Sequence, residues 1–178
     1  MRDLVVYTLV SLDGVASEEE VLDDRWNDML DDEMASVIST QDAVILGRRT
    51  WDGWASFWPT SDFEPFASFI NQVPKYVATS KALDQDWPGS SRIEGDLIEF
   101  VRGLRKGSGG DVGVHGSISV AQALLAAGVA DQLKLIVRPL NAGRGRRLLD
   151  GLPAAQLELR HSKVSPTGYL FLDYRVVQ

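Results

Sequence analysis

Apolar positions along this chain fall into two rhythms that alternate from the amino terminus onward. Short apolar or alternating runs predict strands at residues 4–12, 43–46, 75–79, 112–114 and 133–137, with a short edge strand at 91–93. Between them lie stretches with three- and four-residue spacing. In residues 23–40 the apolar set is Trp26, Met29, Leu30, Met34, Val37 and Ile38, and in residues 95–106 it is Leu97, Ile98, Val101 and Leu104. Both predict amphipathic helices. Shorter helices are predicted at 49–54, 66–72 and 118–127, the last closed by Gly128. Residues 55–62, with Trp58-Pro59, read as loop. The final runs, 156–163 and 169–177, alternate and are joined by Ser165-Pro166-Thr167-Gly168, which predicts an antiparallel hairpin. The order predicts one α/β domain over residues 1–178 with an antiparallel end.

Composition removes several alternatives. The chain has 178 residues, long enough for one domain with a real core. It has no cysteine, so thiol chemistry, disulfides and thiolate metal sites are excluded. His115 and His161 are the only histidines and have no metal-ligand spacing, so no metal is expected. A net charge of −7 argues against general nucleic-acid binding. The first residues lack the apolar core of a signal peptide and no run approaches bilayer length, so a cytoplasmic protein is expected.

Two places join a buried strand to a helix through glycine. Residues 43–46 run into Gly47-Arg48-Arg49-Thr50-Trp51, and residues 112–114 run through His115 into Gly116-Ser117. Such a junction exposes backbone N–H groups and the positive end of a helix dipole, a setting for phosphate. Taken alone, each glycine is equally a turn residue and each arginine a solvated charge. Together they point to a phosphorylated dinucleotide lying across the strand ends. A 2′-phosphate calls for cations with a planar fork, and Arg48, Arg49 and Lys81 all follow strands, with Arg48 preferred over Arg49.

Ser11-Leu12-Asp13-Gly14, Leu46 to Trp51, Gly116-Ser117, Ala130-Asp131-Gln132-Leu133 and Gly143 to Leu149 occur in that order. In this the chain resembles the dihydrofolate-reductase-like family that includes the reductase domain of the riboflavin-biosynthesis deaminase-reductase. The resemblance implies a central mixed, mostly parallel sheet with flanking helices. It also implies an NADPH-dependent reductase acting on a C=N or C=O group of a small heterocyclic or related substrate. Carried over by position, Gly47, Arg48, Arg49 and Thr50 hold the pyrophosphate and adenosine side, and Thr79, Ser80 and Lys81 flank the adenine and 2′-phosphate. Gly116, Ser117, Ile118 and Ser119 cradle the pyrophosphate from the other side. The backbone of Leu9 or Val10, with Ala16, pairs with the nicotinamide carboxamide, and Trp26 lies near the cofactor.

On the substrate side the same resemblance gives Asp28 as the carboxylate on the first helix, although the tryptophan-and-proline stretch that precedes that acid in folate reductases is missing. Trp51 and Trp58 are candidates for an aromatic wall of the cleft, Trp58 the more so. Riboflavin reductases carry an acid two positions before the second glycine, where this chain has Val114. That departure speaks against the ribosylaminopyrimidine as substrate. The uracil reductase of riboflavin biosynthesis and a cofactor-binding protein without turnover stand as the alternatives. The apolar positions in 133–138, 156–163 and 169–177 predict a homodimer.

Overall fold

The computed structural model describes residues 1–16 and 28–177. In chain order the elements are β1 (Leu4–Ser11), α1 (Asp28–Ile38), β2 (Gln41–Gly47), α2 (Arg48–Phe57), α3 (Phe66–Gln72), β3 (Lys75–Ala78), β4 (Ser90–Arg92), α4 (Leu97–Lys106), β5 (Asp111–His115), α5 (Ile118–Ala126), β6 (Gln132–Arg138), β7 (Gln156–Val164) and β8 (Leu170–Val177). The strands form one sheet in the order β4-β3-β2-β5-β1-β6-β8-β7. β4 through β6 are parallel, while β8 runs antiparallel to both β6 and β7. This is the dihydrofolate-reductase-like α/β fold.

Two apolar layers sandwich the sheet. One face carries Tyr7, Val44, Leu46, Val77 and Ile136 beneath Leu30, Met34 and Val37 of α1 and the aromatic residues of α2 and α3. The other carries Leu4, Val6, Ile45, Val112 and Val114 beneath Val101 of α4 and Val120, Ala121 and Leu124 of α5. β2 and β5 are therefore covered on both sides, which is why they read as continuous apolar runs rather than alternations.

The predicted elements are all present, with two corrections. Residues 55–62 are not a loop: α2 continues to Phe57, and Trp58–Thr60 adds a 3₁₀ turn with Pro59 in its first turn. Proline is accepted there because its missing N–H would have no intrahelical partner. The second correction is in β7, where a register shift between Leu159 and His161 breaks the two-residue alternation. Leu157 and Leu159 stand opposite Val176 and Tyr174, whereas His161 and Lys163 stand opposite Asp173 and Phe171 on the other face. His161, half exposed, therefore faces the α1 side of the sheet. It lies 3.8 Å from the Glu33 carboxylate of α1, and Lys163 donates to the same carboxylate at 2.6 Å.

Candidate functional site

The carboxyl ends of β2, β3 and β5 fall at one level, because Gly47 pairs with Ala78 and Ile45 pairs with Val114. Helices α2 and α5 both start there. Their side-by-side placement is fixed by one serine. Ser117 Oγ accepts the Gly47 amide at 2.7 Å, and the same hydroxyl donates to Thr50 Oγ1 at 2.8 Å. A side chain on Gly47 would lie 3.3 Å from Ser117 Oγ and 3.3 Å from a Val120 methyl, so the two junctions approach closely because this residue has none. Gly116 and Ser117 both have left-handed backbones, with φ of 57° and 50°. For serine that geometry costs about 1–2 kcal/mol. A strained polar residue at the meeting point of two helix starts is a mark of a functional position.

Neither helix start is closed by a side chain. Gly47 and Ser117, the N-cap residues of α2 and α5, make no capping bond, whereas Asp96 caps α4 by accepting the Glu99 amide at 3.0 Å. Among the described residues, the amides of Arg49, Ile118 and Ser119 in these first turns therefore keep their capacity to receive an acceptor from outside. The structure adds to the sequence reading of Thr50 and Ser117 in one respect. The Ser117 hydroxyl bonds Thr50 Oγ1 and the Gly47 amide, so these two side chains also tie the junctions together. Ser119 Oγ in turn accepts from Arg146 at 3.0 Å.

β1 projects past this level. Its last partner in β5 is His115, opposite Tyr7, while pairing with β6 continues to Ser11. The Asp3 carbonyl accepts from Val112 and the Leu4 carbonyl from Asp131. Since backbone groups alternate in direction along a strand, odd positions face β5 and even ones face β6. Leu9 thus faces the side where β5 has ended. Val10 is turned towards β6, and its side chain is buried in the core. The amide of Ala16 is engaged by the Arg146 carbonyl at 2.9 Å.

Beyond Ser11 the chain is stitched to the arginine-glycine loop by Asp13. Its carboxylate accepts from the Ser11 hydroxyl at 2.7 Å, from the amides of Ala142 and Gly143 at 2.9 and 3.0 Å, and from Arg147 at 3.3 Å. The Ser11 hydrogen bond first, then the Ala142 and Gly143 amides, hold its pKa down at about 2. Arg147 is therefore a structural tie. Arg144 is exposed and has no hydrogen bond or ion pair among the described residues.

On the other side of the junctions a cleft of about 430 Å³ opens at the ends of β3 and β4. Ala78, Thr79, Ser80, Arg92, Ile93, Glu94, Gly95 and Leu97 line it. Thr79 and Ser80 were legible as strand-end residues, and Lys81 follows them with its amide on Thr79 Oγ1 at 3.1 Å. Arg92 and Glu94 were missed. Arg92 ends the short edge strand, while Lys81 lies three residues past the end of β3, and so short an edge run carries no site signal of its own.

Several predicted site residues lie elsewhere. Arg48 is committed: Nε donates to Asp52 at 2.6 Å, Nη2 to Asp84 at 2.7 Å and Nη1 to the Ala82 carbonyl at 2.7 Å, and its guanidinium lies over the Trp51 ring. Arg49 is exposed and has no ion pair among the described residues. Trp51 is fully buried, with Nε1 on Ser90 Oγ at 3.0 Å, and walls no cleft. Trp58 is buried among Trp54, Phe57 and Phe66, its Nε1 without a partner among the described residues. Its proline turn packs it inward. Trp26 lies outside the described residues. Asp28 begins α1, and its side chain is likewise outside them. Val114 is fully buried in the core.

His115 is a packed residue. Its Nε2 lies 2.7 Å from Gln41 Oε1, its ring meets Tyr7, Phe66 and Phe69, and burial pushes its pKa down to about 3. Gly113 makes room for the Gln41 amide that reaches it: a side chain there would lie 2.0 Å from Gln41 Oε1. No group of acidic or histidine residues suited to a metal ion occurs among the described residues.

The family comparison covers all of these elements except the end of β8. The model of the RibD C-terminal domain matches residues 2–171. The chain belongs to that family, a family of reductase domains. The uncharacterized protein YyaP of Bacillus subtilis (strain 168) is 22% identical over 140 residues, which cover 75% of this chain and 73% of that protein. A candidate riboflavin biosynthesis protein of Shewanella sp. PV-4 superposes with a TM-score of 0.78 at 18% identity, covering 99% of both chains. A pyrimidine reductase-like protein of Corynebacterium diphtheriae gives 0.74 at 15% identity, covering 99% of this chain and 92% of that one. The diaminohydroxyphosphoribosylaminopyrimidine deaminase/5-amino-6-(5-phosphoribosylamino)uracil reductase of Thermotoga maritima gives 0.70 at 14% identity; the match covers 99% of this chain but 57% of that one. At these identities the structures establish the fold, and the family model establishes a reductase-type chain. No helix among the described residues is long and apolar enough to cross a membrane.

Proposed function

We propose that the chain is an NADPH-dependent reductase of a C=N or C=O group in a small heterocyclic substrate. The observation that carries this reading is the pair of uncapped helix starts locked side by side at one sheet level. Two sets of first-turn amides aimed at one place suit a pyrophosphate better than a single phosphate. Gly47 and Gly116 let the backbone approach it, and Arg49, Ile118 and Ser119 bring amides from the first turns. The adenosine end lies in the cleft of Thr79 and Ser80, with Lys81 beside it. Leu9, rather than Val10, offers the backbone that would pair with the carboxamide, because only Leu9 faces past the end of β5.

Bound there, the cofactor supplies the hydride. The chain's own part is to orient the two reactants and keep water away, which is why no catalytic triad is needed. The substrate would lie beside the nicotinamide end, on the side of β1 that Leu9 faces past the end of β5. The uracil reductase reaction is favoured by the family and opposed by Val114, an apolar residue with no exposed surface at the position of the family acid. The exposed apolar positions of β7 and the partly covered face of β8 are where a second copy would pack.

The test is binding followed by turnover. NADPH should quench the tryptophan fluorescence saturably, and a panel of cyclic imines and ketones together with the ribosylaminopyrimidine should identify the acceptor through loss of absorbance at 340 nm. A chain that binds neither NADPH nor NADH would overturn the reading. Fast reduction of the ribosylaminopyrimidine would make the uracil reductase reading the right one.

A further inference from the structure

The cleft at the ends of β3 and β4 holds one cation whose position the sequence did not reveal. Arg92 spans its mouth. Nη1 donates to the Ser80 carbonyl at 3.1 Å, while Nε and Nη2 donate to Glu94 Oε1 at 3.1 and 2.7 Å. A guanidinium has five N–H donors, so this arginine keeps two in hand after those three bonds. Its side chain is 38% exposed and that of Glu94 76%. Gly95, with φ of +80°, turns the chain from β4 towards α4 and so leaves Glu94 beside Arg92 at the cleft wall.

Of the two arginines that open α2, neither lines the cleft, and Arg48 is differently placed. Arg48 sits between two carboxylates, Asp52 and Asp84, and does not line the cleft. An anion approaching Arg48 meets a net negative cluster. One approaching Arg92 meets a neutral pair, and a single carboxylate has to yield. We infer that Arg92 is the residue that distinguishes a 2′-phosphorylated adenosine from one with a free 2′-hydroxyl, and that Glu94 restrains it by competing for the same guanidinium. This rests on the cofactor reading above and adds to it the residues that set the choice between NADPH and NADH. The preference is set by an exchange of partners: an incoming phosphate takes the two remaining donors and loosens the Glu94 contact.

The two residues pull in opposite directions, which gives the test its sign. Dissociation constants for NADPH, NADH and adenosine 2′,5′-bisphosphate would be measured by calorimetry on the full chain, in parallel with thermal unfolding. Arg92→Gln should weaken NADPH and the bisphosphate about tenfold, the scale of one charge-assisted contact, and leave NADH within about twofold. Glu94→Gln should tighten NADPH and the bisphosphate about threefold to tenfold, with NADH unchanged. Both positions are exposed, so the fold should survive; Arg92→Lys, which keeps the charge, should recover part of the loss. Equal losses for NADPH and NADH in Arg92→Gln, or none, would overturn the assignment while leaving the cofactor reading intact. Unchanged or weaker NADPH binding in Glu94→Gln would remove Glu94 from it. Failure of the unaltered chain to bind either dinucleotide would end both.

Discussion

The two ends of the one sheet are built differently. In the parallel part, the interior strands β2 and β5 are buried on nearly every residue, and their strand ends pass through glycine into helices. At the antiparallel end, β7 is exposed along almost its whole length, with Leu159 at 51% and Val164 at 69%. Close packing at the first end brings Ser117 and Val120 against Gly47, leaving little room for a side chain there. At the second end the face of β6, β8 and β7 carrying Leu157, Leu172, Tyr174 and Val176 is only partly covered. Close packing thus marks the candidate site, and partly covered apolar surface marks the antiparallel end.

That contrast can be broken from either side. The largest effect is expected at the open end. The unaltered protein should scatter light as a dimer at micromolar concentration, and Leu159→Lys should halve the particle mass without unfolding it. A single-chain mass for the unaltered protein at every concentration would leave the open face without its partner.

At the closed end the expected effects are energetic. Gly116→Val places a branched residue at φ of 57° and should cost about 3 kcal/mol in urea unfolding, the upper part of the range for such strain. Gly116→Asn, which tolerates the left-handed region, should lose about 1 kcal/mol or less. Equal losses for the two would show that space, and not backbone conformation, selects the glycine.

Ser117→Ala removes the acceptor of the Gly47 amide and the partner of Thr50, and should cost about 2 kcal/mol for the groups left unpaired. NADPH affinity should fall with it, because the junctions lose their common anchor. Stability that drops with affinity untouched would separate the lock from the site.

A further effect is a pH dependence. The pKa of His115 is held at about 3, below its ordinary 6.5, by burial. The stability it contributes is complete above about pH 6.5 and is lost as the pH falls towards 3, because the unfolded chain takes up a proton that the folded chain refuses. Urea midpoints for His115→Gln should therefore fall less steeply between pH 6.5 and 4 than those of the unaltered chain. Parallel slopes would mean that another group governs that window.

Periodicity and glycine placement carried most of the fold: the helix and strand order, the closing hairpin, and the junctions at Gly47 and Gly116 all follow from local spacing and local backbone freedom. Thr79, Ser80 and Lys81 were legible for the same reason, since a residue just past a strand lies at the sheet edge wherever the strand goes. The partners of charged groups were not legible. Arg48 met Asp84, 36 residues away, and Ser117 met Gly47, 70 residues away, through contacts that only the packed chain creates. The inward turn of Trp58 and the switch of His161 and Lys163 to the α1 side came from a proline-started 3₁₀ turn and a register shift, which local alternation does not report. The sequence by itself determined where backbone could be exposed. The tertiary structure decided which side chains remain available there, because a charge or hydroxyl is settled by the nearest group in space and not by its neighbour along the chain.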